Sequence, residues 1–202
     1  MKAGAALLIV DLQNDFCSNG ALAVPDGDRV VEPLNRAARL FGDHGLPVLA
    51  SRDWHPPVTR HFRDYGGSWP PHCVQGSFGA AFHPALRLPE GAIVLSKGTD
   101  PEKDSYSAFE ALTEEGRSLK ELLMALGVKQ LYIGGLATDY CVRSSVLDAL
   151  GLGFNVSVIS DAIAGVDVNP GDSDRALKEL SLAGAGFTSV DRLADELRAF
   201  KS

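Results

Sequence analysis

Six short apolar runs, separated by segments of helical period, constrain this chain more than any other feature. Ala5–Val10, Pro47–Ser51, Ala92–Ser96, Gln130–Gly134, Asn155–Ser160 and Phe187–Val190 have strand length, and Ala5–Val10 is apolar at every position. A run without polar alternation suits a strand buried on both faces. Helices are expected over about Gly27–Asp43 and Arg117–Leu126, from Cys141 onward, near Ser173–Ala183, and after the last strand. Apolar strands joined by helices form an α/β chain, a three-layer α/β/α arrangement around a central, mostly parallel twisted sheet. No internal repeat, low-complexity segment or linker interrupts the pattern, so residues 1–202 are expected to form one domain. Residues 52–91 break the rhythm, being rich in Pro, Gly, His and aromatic residues with little helical period. So long a segment without regular structure points to a functional loop.

In an open parallel sheet, ligands bind beyond the carboxyl ends of the strands. Asp11 follows the first run, Arg52-Asp53 the second, Lys97 the third, and a turn leading to Cys141 the fourth. In that last stretch the strand Leu131–Ile133 enters Gly134-Gly135 and a tight turn, and Val142, Val146, Leu147 and Leu150 then repeat at helical spacing. Cys141 is therefore expected in the first turn of a helix, where unpaired N–H groups favour a thiolate and can hold an oxyanion. Taken alone, Cys141 reads as an ordinary buried cysteine, Asp11 as a strand-end cap and Lys97 as a surface lysine. Together at neighbouring strand ends they supply a nucleophile, a proton carrier and a cation that steadies both.

A second cluster is Asp53-Trp54-His55, joined by His61 and His72. Residues two apart in extended chain point the same way, so Asp53 and His55 face a common point. A carboxylate with two or three imidazoles suits one first-row divalent ion, zinc first, with iron or manganese also compatible. Pro70 and Pro71 stiffen the backbone before His72, whereas His61 is the weakest candidate; His44 and His83 read as ordinary polar residues. Phe16, Trp69 and Tyr106 supply rings that can sandwich a flat substrate.

Composition excludes several classes. The net charge of −7 and scattered basic residues argue against a nucleic-acid or anionic-membrane partner. No run approaches the roughly 20 apolar residues of a spanning helix. Ala5–Val10 is closed at once by Asp11, which fits a strand and not a signal peptide. Three cysteines without a CxxC pair suggest reduced thiols and a cytoplasmic location.

VDLQNDF (Val10 to Phe16), SRDWHP (Ser51 to Pro56), WPPHCVQG (Trp69 to Gly76), SKGTDP (Ser96 to Pro101), DSYSAF (Asp104 to Phe109) and GGLATDYCVRSSVLDAL (Gly134 to Leu150) resemble, in order, the nicotinamidases of the isochorismatase-like cysteine hydrolases. The resemblance implies a Rossmann-like fold and an Asp11–Lys97–Cys141 triad that deamidates nicotinamide through a thioester. It implies metal ligation by Asp53, His55 and His72. The fourth ligand stays open: some members have a histidine at the position of His61, others place one slightly earlier or use water. It further implies a non-proline cis peptide before Ala137, an oxyanion hole from the N–H groups of Ala137 and Cys141, and a pyridine carboxamide held among Phe16, Trp69 and Tyr106 with its ring nitrogen on the metal. Relatives are often dimers or larger, so a homo-oligomer is expected. Two other readings compete: another hydrolase of the same superfamily, acting on an N-carbamoyl compound or on isochorismate (the latter disfavoured by a cysteine nucleophile), and a non-catalytic metal-binding or scaffold protein on the same fold. The D-x-H cluster argues against the first and the complete triad against the second.

Overall fold

The apolar runs pair as one six-stranded sheet in the order β3-β2-β1-β4-β5-β6 in a computed structural model, which describes residues 4–198. The strands are β1 (Gly4–Val10), β2 (Val48–Asp53), β3 (Ile93–Lys97), β4 (Val128–Leu136), β5 (Asn155–Ala164) and β6 (Gly186–Thr188). Every neighbouring pair is parallel. The helices are α1 (Val31–Asp43), α2 (Leu119–Leu126), α3 (Arg143–Gly151), α4 (Asp172–Leu182) and α5 (Val190–Leu197).

β1 explains why its sequence tolerates no polar residue. Ala5, Leu7 and Ile9 pack with Leu34 and Phe41 of α1 and Leu193 of α5 on one face. Ala6, Leu8 and Val10 pack with Leu122 of α2, Val146 of α3 and Leu180 of α4 on the other. Both faces of the strand are thus covered by helices, and the three layers follow. Local signals fix the helix ends. α2 opens on a reciprocal cap between Ser118 and Glu121 and closes at Gly127, whose φ of 69° is the left-handed conformation that stops a helix. Among the described residues no helix is long and apolar enough to cross a membrane.

Several boundaries differ from expectation. Gly134 and Gly135 do not begin the turn after β4; both remain within it. Gly135 has φ 129°, and a Cβ there would stand 2.0 Å from the Val10 carbonyl oxygen. The glycine serves a close approach of backbones, not a reversal of the chain. β5 runs on to Ala164 after a register shift opposite Ile133–Gly135, and β6 is shorter than expected because Val190 already opens α5. Residues 54–92 contain no strand or α-helix, only a short helical turn at Arg63–Tyr65. Isolated bridges from His55 to Val74, Phe62 to Trp69 and Phe82 to Gln13 tie that loop to itself and to the sheet edge.

The strand order reverses between β1 and β4, which creates a crevice where their carboxyl ends part. Asp11 leaves one side of that crevice and Ala137 leaves the other.

Gly135 offers a direct test of the backbone contact. Gly153 also has a positive φ, 86°, but no atom lies within 4 Å of a Cβ built there. Gly153→Ala should therefore cost about 1 kcal/mol, the penalty of the left-handed backbone. Gly135→Ala should lose about 1–3 kcal/mol beyond that, from overpacking against Val10. Urea unfolding midpoints measure both, and equal losses would show that the contact does not constrain the sheet.

Candidate active site

Lys97, the last residue of β3, has a fully buried side chain. Its Nζ lies 3.0 Å from Asp11 Oδ2, pairs with Asp53 Oδ1, and donates to Cys141 Sγ at 3.5 Å. The three sequence candidates for chemistry therefore meet around one ammonium. Burial alone would drive the Lys97 pKa down, but the charges of Asp11 and Asp53 outweigh it and hold the pKa well above the ordinary lysine value. Asp11 itself has a φ of 47°, an unusual backbone conformation for a non-glycine residue leaving a strand. Its Oδ1 accepts the Ser51 hydroxyl at 2.7 Å. Its Oδ2 is buried and has no hydrogen-bond partner beyond the ion pair with Lys97.

Cys141 departs from expectation in two ways. It lies in a wide, π-type turn, Thr138–Val142, that precedes α3, and not in the first turn of the helix itself. The peptide between Leu136 and Ala137 is cis, as the resemblance implies, and both Tyr140 and Val142 donate their N–H groups to the Ala137 carbonyl. The surroundings of the sulfur also favour the thiol over the thiolate. Burial pushes the thiol pKa well above its usual value, and Lys97 offsets this only in part because Asp11 and Asp53 add negative charge beside it. Burial likewise raises the Asp11 carboxyl, against the pull of Lys97. The group beside the thiol is thus a stronger base than a solvated carboxylate.

The imidazoles form the second half of the site. His55, His61 and His72 are buried, and one ligand-capable atom from each lies within 4.8 Å of the others. The Nδ1 of His55 faces the Gly98 carbonyl at 3.1 Å, that of His61 faces Asp104 Oδ1 at 2.6 Å, and that of His72 faces the Pro70 carbonyl at 2.7 Å. Oxygen acceptors at all three Nδ1 positions place the proton there and leave each Nε2 with a free lone pair. His55 Nε2 is buried with no hydrogen-bond partner, 3.7 Å from Asp53 Oδ2; His72 Nε2 is 4.0 Å from the same oxygen. Burial lowers the His72 pKa to about 4 and also lowers that of His61, so these rings stay neutral at neutral pH. A Cβ on Gly98 would come within 2.5 Å of the His55 ring, so only glycine lets this carbonyl approach. Imidazoles oriented through Nδ1, one of them with a buried Nε2 that has no hydrogen-bond partner, fit a divalent ion of the zinc class. His61, the weakest sequence candidate, stands inside this group. Asp53 stands at its edge, with one oxygen toward Lys97 and the other toward the rings.

Another side-chain group shows what such a cluster looks like without this preparation. Cys17, Asp28 and His83 also converge. There the Ala85 N–H donates to His83 Nδ1, so the proton sits on Nε2 and points at Asp28 Oδ1, 3.2 Å away. That ring has no lone pair to offer and is a satisfied polar residue, as expected. His44, bonded through Nδ1 to the Leu40 carbonyl, is another.

Between sulfur and imidazoles lies a pocket lined by Phe16, Leu22, Val24, Asp53, His61, Trp69, His72, Ser105, Tyr106, Ala137, Tyr140, Cys141 and Val166. The three expected rings are all present. Trp69 Nε1 donates to the Tyr106 hydroxyl at 3.0 Å and the Trp69 ring meets Tyr140 edge-on at 5.1 Å. Sequence reasoning missed Tyr140, although it adjoins Cys141, and missed Leu22, Val24 and Val166, which come from loops with no chemical signature. It also missed Ser51 and Asp104, whose partners are 40 and 43 residues distant.

Removing the ammonium tests its hold on the site. Lys97→Met leaves two buried carboxylates facing each other, and breaking a buried ion pair costs about 3–5 kcal/mol. That loss should be largest at alkaline pH. It should shrink on acidification, because the folded variant takes up a proton that the unfolded chain releases, so acid favours the fold. Denaturation midpoints at several pH values would read this, and a pH-independent loss would refute the charge argument.

Comparison with known proteins agrees with this geometry. The family model for the isochorismatase domain matches residues 5–192. The nicotinamidase of Escherichia coli (strain K12) is 46% identical over 199 residues, covering 89% of this chain and 92% of its own. The nicotinamidase/pyrazinamidase of Mycobacterium tuberculosis is 39% identical, covering 88% and 95%. The crystal structure of the pyrazinamidase of Pyrococcus horikoshii in complex with zinc superposes with a TM-score of 0.85 at 44% identity, over 92% of this chain and 99% of that one. A parallel sheet whose central strands end in Asp11 and the Cys141 turn, matched along nearly its whole length, makes this chain a member of the isochorismatase family.

Proposed function

We propose that this protein is a metal-assisted amidohydrolase that converts nicotinamide to nicotinate and ammonia. One observation carries the reading: a thiol, a carboxylate and an ammonium face three buried imidazoles across a single aromatic-walled cavity. Relatives at 46% and 39% identity are a nicotinamidase and a nicotinamidase/pyrazinamidase, which supports the substrate.

Phe16, Trp69 and Tyr106 hold the flat pyridine ring, and the shape of the cavity delivers its carboxamide to Cys141. A divalent ion held by His55, His61 and His72 beside Asp53, with zinc favoured by this donor set, would supply a Lewis-acid contact for the ring nitrogen. Asp11 takes the thiol proton as the sulfur bonds to the carbonyl carbon. Lys97 compensates the charge that passes from sulfur to carboxylate. The N–H groups of Ala137 and Cys141 receive the oxyanion, each such donor being worth roughly 3–4 kcal/mol. Asp11 returns the proton to the amide nitrogen, the C–N bond breaks and ammonia departs, leaving a thioester. Water then attacks the acyl carbon with Asp11 accepting its proton, the C–S bond breaks, and the proton returns to sulfur as nicotinate leaves. An N-carbamoyl substrate would need no ring-nitrogen contact and would leave the imidazole group without a task.

Ammonia release from nicotinamide tests the proposal. Cys141→Ala should lower kcat by at least about 10⁴-fold, as loss of a nucleophile does elsewhere. Stripping the protein with a chelator should raise KM sharply, and added zinc should reverse this. Turnover that survives in Cys141→Ala would reject the thioester route, and a KM indifferent to chelation would remove the ion from substrate binding.

A further inference from the structure

We propose that Gln13 and Asp15 are positioning residues that build the metal cluster from the chain segment carrying Asp11, an inference that rests on the reading of His55, His61, His72 and Asp53 as a divalent-ion site. Neither residue lines the cavity. Both lie on the segment that leaves β1 at Asp11, spaced two residues apart.

Gln13 is completely buried. Its Nε2 donates to the Asp53 carbonyl at 2.7 Å and to the Ala80 carbonyl at 2.9 Å, while its Oε1 accepts the Asp53 N–H at 2.7 Å. Both amide protons and the amide oxygen are used, so no other side chain reproduces the pattern. The effect is to grip Asp53 on both sides of its Cα. An aspartate has only two side-chain torsions, so a fixed backbone largely fixes where its carboxylate stands. That carboxylate reaches Lys97 with one oxygen and faces His55 and His72 with the other.

Asp15 does the same for the loop that bears His72. Its Oδ2 accepts the Cys73 N–H at 2.7 Å, its Oδ1 accepts the Ala21 N–H at 3.1 Å, and its own N–H donates to the Gly79 carbonyl at 3.1 Å. Cys73 directly follows His72 and has a φ of 46°, a conformation that needs an outside partner to hold it. A Cβ on Gly79 would lie 2.0 Å from Asp15 Oδ2, so the loop packs backbone against carboxylate. One short segment therefore supplies Asp11 and ties down the backbones at Asp53 and His72. Metal sites demand ligand distances within about 0.2 Å of their ideal, and such clamps are how a loop without regular structure meets that demand.

The test uses the full chain and zinc as the probe. Gln13→Met keeps the volume and loses every hydrogen bond; Asp15→Asn keeps the shape and weakens the acceptor. Zinc affinity is measured by competition with a chromogenic chelator on folded protein, alongside kcat and KM for nicotinamide at saturating zinc. Gln13→Met should bind zinc about 10- to 100-fold more weakly and Asp15→Asn about 10-fold, the range seen when supporting residues of a metal site are removed. At zinc saturation KM should stay raised while kcat changes less. Folded variants that melt at lower temperature but bind zinc within about two-fold of wild type would overturn the proposal, because purely structural residues behave that way. Should Gln13→Met fail to fold, Asp15→Asn decides by the same criterion. Wild type that binds zinc but leaves nicotinamide intact would reject the proposed activity and still leave the zinc comparison decisive.

Discussion

The Lys97 ammonium is the point on which the rest of the site depends. An unpaired charge in a protein interior costs several kcal/mol, so a lysine with no exposed side-chain surface demands partners of opposite sign. Those partners come from the ends of neighbouring strands. Parallel register sets Asp53 beside Lys97 across β2 and β3, and Asp11 stands one residue past the end of β1 on the far side of β2. A slip of one residue in β3 would turn the ammonium to the opposite face and leave both carboxylates unmatched. Sheet register and ion pair therefore specify each other. The six-stranded sheet is the device that brings groups 86 and 44 residues apart in sequence into contact.

Burial sets the chemistry of the sulfur as much as any neighbour does. A solvated cysteine beside a lysine would favour the thiolate, but here desolvation and two carboxylates push the other way. These surroundings favour the proton on sulfur, and in the proposed reaction Asp11, made more basic by the same burial, is the group placed to receive it. In the proposed reaction the negative charge then moves from one atom near Lys97 to another and is never created in isolation. A fixed ammonium can serve both states without rearranging, which is the economy of a preorganised site.

Much of this was legible in the sequence because strand ends are legible. Six apolar runs located the strands to within a few residues, and the polar residues just past them, Asp11, Lys97 and Asp53, stood out against apolar neighbours. The motif resemblance supplied the cis peptide before Ala137, which no propensity argument would give. What stayed hidden has a common physical character. A wide turn stands at Cys141 where a helix start was expected, and its Asp139 carboxylate accepts the N–H groups of Val166 and Asp167, contacts that local spacing does not reveal. Gly134-Gly135 looked like a turn because a close approach to Val10 and a reversal use the same residue. Gln13, Asp15, Ser51 and Asp104 act through hydrogen bonds to residues 40 or more positions away, and nothing local distinguishes them from ordinary polar loop residues. The apolar cavity walls at Leu22, Val24 and Val166 were equally silent.

Asp53 joins the two halves of the site, and its shared role explains why they lie side by side. Its one carboxylate answers Lys97 and also faces the imidazoles, so the ammonium and any divalent ion between His55, His61 and His72 draw on the same negative charge. Two carboxylates around a single ammonium leave a surplus of negative charge in a buried place, and a cation at the imidazoles relieves it. In a low-dielectric interior that coupling acts over the full width of the cavity. An ion held at one end would weaken the hold of Asp53 on Lys97 and strengthen the pull of Lys97 on Asp11 and the sulfur. In the proposed reaction substrate anchoring and nucleophile activation would thus be parts of one charge distribution, which is a physical reason for the loop after β1 to carry the base and the clamps together.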